Sequence, residues 1–207
     1  MRTLVVANQK GGVGKTTLAG HLGVIAEHSK NGPVALIDTD PQASLSSWWN
    51  EREAETPIFA SVSIAQLADH LKELERCGVK LAIIDTPPAV TKTIRVVLAV
   101  ADLVLIPTRP SPHDLRAVAS TVEMVEKAGK PMIFIINGAA ARARITGEAA
   151  VALSQYGTVA PVTIYQRTDF AASMIDGRTV YEIDHKSKSS IEIIELWKYV
   201  NKRLRKL

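Results

Sequence analysis

Lys10-Gly11-Gly12-Val13-Gly14-Lys15-Thr16-Thr17 lies between an apolar, partly β-branched run, Leu4-Val5-Val6-Ala7, and a stretch of helical composition from Leu18 to His28. The order is strand, glycine loop, helix. Glycines let backbone N–H groups turn inward toward a polyphosphate. The helix that follows points the positive end of its dipole at the same anion. Lys15 adds a mobile positive charge for the β/γ-phosphates, and the Thr16 hydroxyl can ligate Mg²⁺. The general P-loop pattern wants a glycine where Gln9 stands, and a second lysine, Lys10, precedes the glycines. A dinucleotide turn would need G-x-G-x-x-G, which Gly-Gly-Val-Gly does not supply, and it would leave Lys-Thr-Thr without a task. The loop reads as a site for a nucleoside triphosphate.

The rest of the chain suits such a site. Apolar strand-like runs alternate with helical stretches throughout: Val34-Ala35-Leu36-Ile37, Leu81-Ala82-Ile83-Ile84, Leu103-Val104-Leu105-Ile106, Met132 to Ile136 and Val159 to Ile164. Between them, helices are expected over Ser44 to Arg52, Ile64 to Glu75, Thr91 to Ala101, Pro112 to Ala128 and Ala149 to Tyr156. Ser111 is the expected N-cap of the fourth, with Pro112 at N1 and Asp114 at N3. The alternation implies an α/β fold: one mostly parallel, twisted sheet with helices on both faces, in a single domain over 1–207. Ligands of such sheets sit at the carboxyl ends of the strands.

Four more residues fall at that edge. Asp85 ends an apolar strand, where a carboxylate can hold Mg²⁺ directly or through its water shell. The alternative is a carboxylate that caps the next helix. Asp38 and Asp40 lie two apart and therefore on one side of an extended chain. They could face the γ-phosphate, Asp40 could equally be a surface turn, and in a Rossmann reading an acid near here would bind ribose. Asn137 offers a donor and an acceptor suited to an adenine edge, or simply favours a turn before Gly138. Pro161 to Ile164 could flank the base. The histidines lack metal-ligand spacing, and Cys77, the single cysteine, excludes an intrachain disulfide,. No run of about 18 apolar residues occurs, so integral membrane association is not expected.

The net charge of +4 is unevenly spread. Residues 186–207 hold Lys186, Lys188, Lys198, Lys202, Arg203, Arg205 and Lys206 against Glu192 and Glu195, an excess larger than the net charge of the whole chain. A helix is expected over about 189–206, with Ser189 and Glu192 as a capping box. Ile193, Trp197, Val200, Leu204 and Leu207 form its apolar stripe, and Lys198, Lys202, Arg203, Arg205 and Lys206 a basic face. A docked helix with a solvated basic side, contact with DNA, and insertion into a membrane surface are the three readings.

The form Lys10-Gly-Gly-x-Gly-Lys15-Thr-Thr resembles the deviant Walker motif of the ParA/MinD family of positioning ATPases. The resemblance extends to Asp38-Thr39-Asp40-Pro41-Gln42, to Ile83-Ile84-Asp85-Thr86-Pro87-Pro88 and to Pro107-Thr108-x-Pro110-Ser111. It covers nearly the whole chain, as in a small ParA without an N-terminal DNA-binding extension. It implies ATP and Mg²⁺ as cofactors, with Gly11, Gly12, Val13, Gly14, Lys15, Thr16 and Thr17 around the phosphates. Asp38 would lie near the Mg²⁺ shell, Asp40 would position the attacking water, and Asn137 and Pro161 would lie by the adenine. Lys10 would reach the nucleotide of a partner in an ATP-loaded homodimer. ParA-like members bind nonspecific DNA in that state and are released when a ParB-like or other small activator stimulates hydrolysis, a cytoplasmic, nucleoid-associated cycle. A MinD-like membrane-surface ATPase and a P-loop metabolic enzyme are the alternatives.

Overall fold

The computed structural model describes residues 1–88 and 92–207. β1 (Arg2–Val6) lies near the middle of an eight-stranded sheet. Its neighbours are β4 (Leu81–Asp85) on one side and β5 (Leu103–Thr108) on the other. β2 (Val34–Asp38) and β3 (Ile58–Phe59) continue beyond β4. β6 (Met132–Ala139) continues beyond β5 and pairs with both β7 (Thr158–Val159) and β8 (Ile164–Tyr165). Every pairing among the described residues is parallel. The order β3-β2-β4-β1-β5-β6-β7 reverses at β1, so the chain leaves β1 in the crevice where α/β sheets bind ligands,.

Strand side chains alternate between two cores, as a period of two requires. Leu4, Val6, Leu36, Ile83 and Leu105 join one core, and Val5, Ile37, Ile84, Val104 and Ile106 the other. The first core packs on α1 (Lys15–His28), α2 (Ser44–Asn50), α7 (Thr168–Ser173), α8 (Val180–Ile183) and α9 (Lys188–Leu204). The second packs on α3 (Leu67–Arg76), α4 (Lys92–Ala99), α5 (Pro112–Lys127) and α6 (Arg144–Ser154). The expected helix start at Thr91 lies outside the described residues.

Several boundaries differ from the sequence expectation. α1 begins at Lys15 rather than Leu18, because Gly14 at φ 88° turns the loop straight into the helix. The stretch from Val159 to Ile164 is two short strands, not one: Pro161 lacks an N–H, and both pieces pair with β6,. β6 runs past Asn137 to Ala139 through an irregularity at Gly138, φ 66°. The helix expected at Ala149 starts five residues earlier, at Arg144. α3 is preceded by a 3-10 turn at Ile64–Gln66, and Leu67 and Leu71 are its buried residues.

The C-terminal helix is capped by Ser187, whose hydroxyl accepts from the Ser190 N–H at 3.1 Å. The Ser189 and Glu192 capping box does not form. Ser189 instead donates to Asp169 at 2.6 Å, and Glu192 accepts from the Tyr165 N–H at 3.0 Å and from Arg167 Nε at 3.1 Å. Ile193, Trp197, Val200 and Leu204 are buried in the core, whereas Leu207 is half exposed.

α1 is enclosed on nearly every side, with ten of its fourteen residues buried. Two of them are polar, Lys15 at the start and His21 in the middle. His21 lies with Nδ1 2.8 Å from the Thr17 carbonyl, to which it donates, and Nε2 accepts from the Val180 N–H at 3.3 Å. Phe170 packs edge-on at 5.3 Å. This arrangement needs the neutral ring, and burial lowers its pKa to about 4,. Between about pH 6.5 and 4 the unfolded chain takes up a proton that the native ring refuses, so folding stability falls with acid by on the order of 3 kcal/mol over that window. Denaturant melts across this range should show the fall, and His21→Gln should flatten it even if it lowers stability at neutral pH.

Candidate functional site

The glycine loop runs from β1 to α1 at the carboxyl edge of the sheet. Gly12 (φ 73°) and Gly14 (φ 88°) hold left-handed conformations that residues with a Cβ rarely adopt,. Space is also short: a Cβ on Gly14 would stand 2.3 Å from Asn137 Nδ2. Asn137 donates from that nitrogen to the Val13 carbonyl at 2.6 Å. The loop is thus braced from β6 across β5.

Below the loop, Thr16 Oγ1 donates to Asp85 Oδ2 at 2.5 Å. This contact joins the start of α1 to the end of β4. Asp85 is 1% exposed, and burial raises its carboxyl pKa to about 7 against the lowering effect of Thr16 and Lys15. Lys15 is 7% exposed, and burial lowers its pKa while Asp85 and Asp40 act the other way. Its ammonium donates to the Lys10 carbonyl at 3.2 Å. A buried cation and a buried carboxylate, both strained by desolvation, are the charges that a phosphate and a divalent metal respectively would relieve. The residues therefore fit a Mg²⁺–nucleotide.

A cleft of about 680 Å³ opens above them. It unites Gly11, Gly12, Gly14, Lys15, Thr16, Thr17 and Asp40. Lys10, Val13, Asp38, Asp85, Asn137 and Pro161 do not line it. Val13 buries its side chain in the core and offers only backbone. Asp38 is committed elsewhere: Oδ1 accepts from the Asp40 N–H at 2.9 Å, and Oδ2 from those of Leu45 and Ser46 at 3.0 Å. It shapes the 40–46 turn and caps α2. Asp40 Oδ1 accepts from the Gln42 N–H at 3.0 Å, its one side-chain hydrogen bond among the described residues. Pro161 is exposed between β7 and β8.

Other cleft residues escaped sequence reasoning. Trp48 forms one wall, its ring 3.2 Å from a Cβ position on Gly20 of α1 and its Nε1 donating to the Arg178 carbonyl at 3.1 Å. Arg109 follows β5 within the Pro107-Thr108-x-Pro110 motif, where the variable position hid it. Met174 gave no signal at all. The wall is fixed by Arg52, whose guanidinium pairs with Glu182 at 2.8 Å, donates to the Gly177 carbonyl at 2.6 Å and lies 4.9 Å over Trp48.

The C-terminal basic face is divided. Lys198 pairs with Glu195 at 2.7 Å, and Arg203 leans on Tyr199 and Thr158. Lys202, Arg205 and Lys206 are exposed.

A phosphate loop braced between two strands at a topological switch point makes this a P-loop nucleotide-binding protein. Residues 4–180 match the family described as the CobQ/CobB/MinD/ParA nucleotide binding domain, and the chain belongs to that family, whose ParA and MinD members are P-loop ATPases. It is 30% identical over 208 residues to maintenance of carboxysome distribution protein A of Halothiobacillus neapolitanus, covering 93% of this chain and 92% of that one. It is 28% identical to protein ParA of Rhizobium radiobacter, covering 94% and 92% respectively. In fold it is similar to septum site-determining protein MinD of Pyrococcus horikoshii, solved with Mg-ADP, at a TM-score of 0.80 and 18% identity over 98% of this chain and 96% of that one.

Gly14→Ala should weaken nucleotide binding by about tenfold or more, since left-handed backbone strain adds to the collision with Asn137. Removing the collision alone, in Gly14→Ala/Asn137→Ala, should not restore affinity. Calorimetric titration of both variants checks this.

Proposed function

We propose that the protein is a ParA-type molecular switch: ATP and Mg²⁺ load the cleft, the loaded form dimerises face to face, the dimer binds nonspecific DNA, and partner-stimulated hydrolysis releases it. The observation that carries this reading is the opposite state of two lysines in one loop. Lys15 is buried beneath the cleft, whereas Lys10 is exposed and its ammonium has no partner among the described residues. One lysine is placed to act on its own nucleotide, and the other is free to reach a partner's.

The roles follow from position. The loop amides and Lys15 bind the phosphates. Thr16 and Asp85 hold Mg²⁺, which neutralises phosphate charge, and Asp38 adds negative potential behind Asp85. Asp40, which lines the cleft, orients the attacking water, a task that needs geometry more than basicity,. Asn137 holds the loop through the Val13 carbonyl, and in this reading Asn137 and Pro161 lie by the adenine.

Similarity to proteins named for carboxysome distribution and for ParA supports cargo positioning, with plasmid, chromosome or another body as cargo. A membrane-surface role is less well supported, because the apolar stripe of α9 is spent on the core,. A metabolic role would show as turnover on a small substrate with no macromolecule present.

Asp40→Ala should bind ATP and dimerise normally while turnover falls by about 100-fold or more. Normal hydrolysis by this variant would reduce Asp40 to a turn residue. Lys10→Ala should bind ATP as a monomer but form no active dimer, and its DNA binding should weaken. Light scattering for dimer mass, and retention on a dense coat of random-sequence duplex for DNA binding, report the two steps separately. Wild-type DNA binding that ignores ATP, or an active ATP-dependent dimer of Lys10→Ala, would overturn the switch.

A further inference from the structure

The parallel sheet has a second edge. Because the strands run one way, the chain enters each of them on the side remote from the glycine loop, and there it carries cations. Arg2 opens β1, Lys30 lies in the turn before β2, Lys80 directly precedes β4, and Lys130 stands just before β6. The end of α9 reaches the same edge. A small cavity of about 110 Å³ is lined there by Arg2, Asn31, Lys80, Trp197, Asn201 and Arg205 among others.

Its polar lining is rich in donors. Lys80 and Arg205 are exposed, and neither has an ion-pair partner among the described residues. Arg2 has Asp102 at 3.6 Å, too far for a hydrogen bond,. Asn31 Oδ1 already accepts from Trp197 Nε1 and from Asn201 Nδ2, both at 3.1 Å, which leaves the Asn31 side chain its NH₂ to offer,. Lys198 and Lys202 on α9 and Arg205 at its C-cap follow at spacings of four and three, one face that leads toward the cavity,.

We infer that this edge, with Arg2, Lys80 and Arg205 at its centre, docks the backbone phosphates of duplex DNA. The cavity is of a size for one phosphate group, and two guanidinium forks suit phosphate oxygens. Contacts of this kind fix position on the duplex without reading sequence. The inference rests on the DNA-binding reading above and locates the surface on the side of the sheet opposite the nucleotide. It has a geometric consequence. In a dimer whose nucleotide edges meet, the two basic edges point outward, so one ATP-loaded dimer grips two duplexes. On densely packed DNA that double grip supplies avidity the monomer lacks.

The test compares wild type, the neutral variant Arg2→Gln/Lys80→Gln/Arg205→Gln and the charge-keeping variant Arg2→Lys/Lys80→Arg/Arg205→Lys. Each is measured with ATP against a random-sequence duplex over a salt series. The neutral variant should lose about tenfold or more in affinity, and its log–log salt slope should shrink by about 2 to 3. The charge-keeping variant should keep the wild-type salt slope and lose less affinity than the neutral one, and ATP affinity and dimer mass should not move in either. Wild type, but not the neutral variant, should capture free labelled duplex on duplex-coated beads. If wild type binds DNA and the neutral variant matches it in affinity and slope, this surface is wrong while the switch stands. If wild type binds no DNA, both fail. If the substitutions abolish binding to phosphatidylglycerol vesicles and leave DNA affinity unchanged, the edge is a membrane surface and the inference is overturned.

Discussion

Burial of the first helix on nearly all its sides is the constraint on which the rest depends. A helix in that position cannot shift without disturbing the core on one face of the sheet, so its N-terminus is a fixed point,. The glycine loop inherits that rigidity. Thr16 ties it to β4, Asn137 to β6, and Gly20 admits the Trp48 ring against the helix. Preorganised amides at a fixed helix end cost little to reorganise when an anion arrives.

The fixed point also explains the electrostatics. Lys15 and Asp85 are charges held in low dielectric by parts of the chain that pack for other reasons. Each is offset only in part by the other, because burial outweighs their mutual attraction. A site of this kind is charged in readiness for a ligand of two signs, a metal-bound polyphosphate. Exposed Lys10 contrasts with this pair, since its position costs no desolvation and leaves it free to move.

Much of this was legible in the sequence, and for definite reasons. Strands such as Leu81–Asp85 are continuous apolar runs that end in a carboxylate, and fully buried parallel strands leave that mark. The glycine loop is a motif with a mechanism. What failed to show was long-range. Ser189 and Glu192 have the spacing of a capping box, yet Ser187 caps the helix and Glu192 turns to Tyr165 and Arg167, which nothing local announces. Asp38 and Asp40 look alike in sequence, and only the amides of Asp40, Leu45 and Ser46 separate the structural carboxylate from the one on the cleft. His21 reads as an ordinary polar residue of a helix until the Val180 N–H and Phe170 close over it. The sequence-based strand from Val159 to Ile164 missed the break, although Pro161 stood inside it.

The position of Trp48 makes the molecule its own optical probe. Of the three tryptophans, Trp49 donates to the Pro57 carbonyl and Trp197 to Asn31, both away from the cleft. Trp48 alone lines it, with a guanidinium over its ring and the phosphate-loop helix against its edge. Indole emission responds to nearby charge and to the stiffness of its surroundings. A fluorescence change on loading the cleft would therefore originate mainly from one known residue, which lets nucleotide arrival be followed in real time without an attached dye.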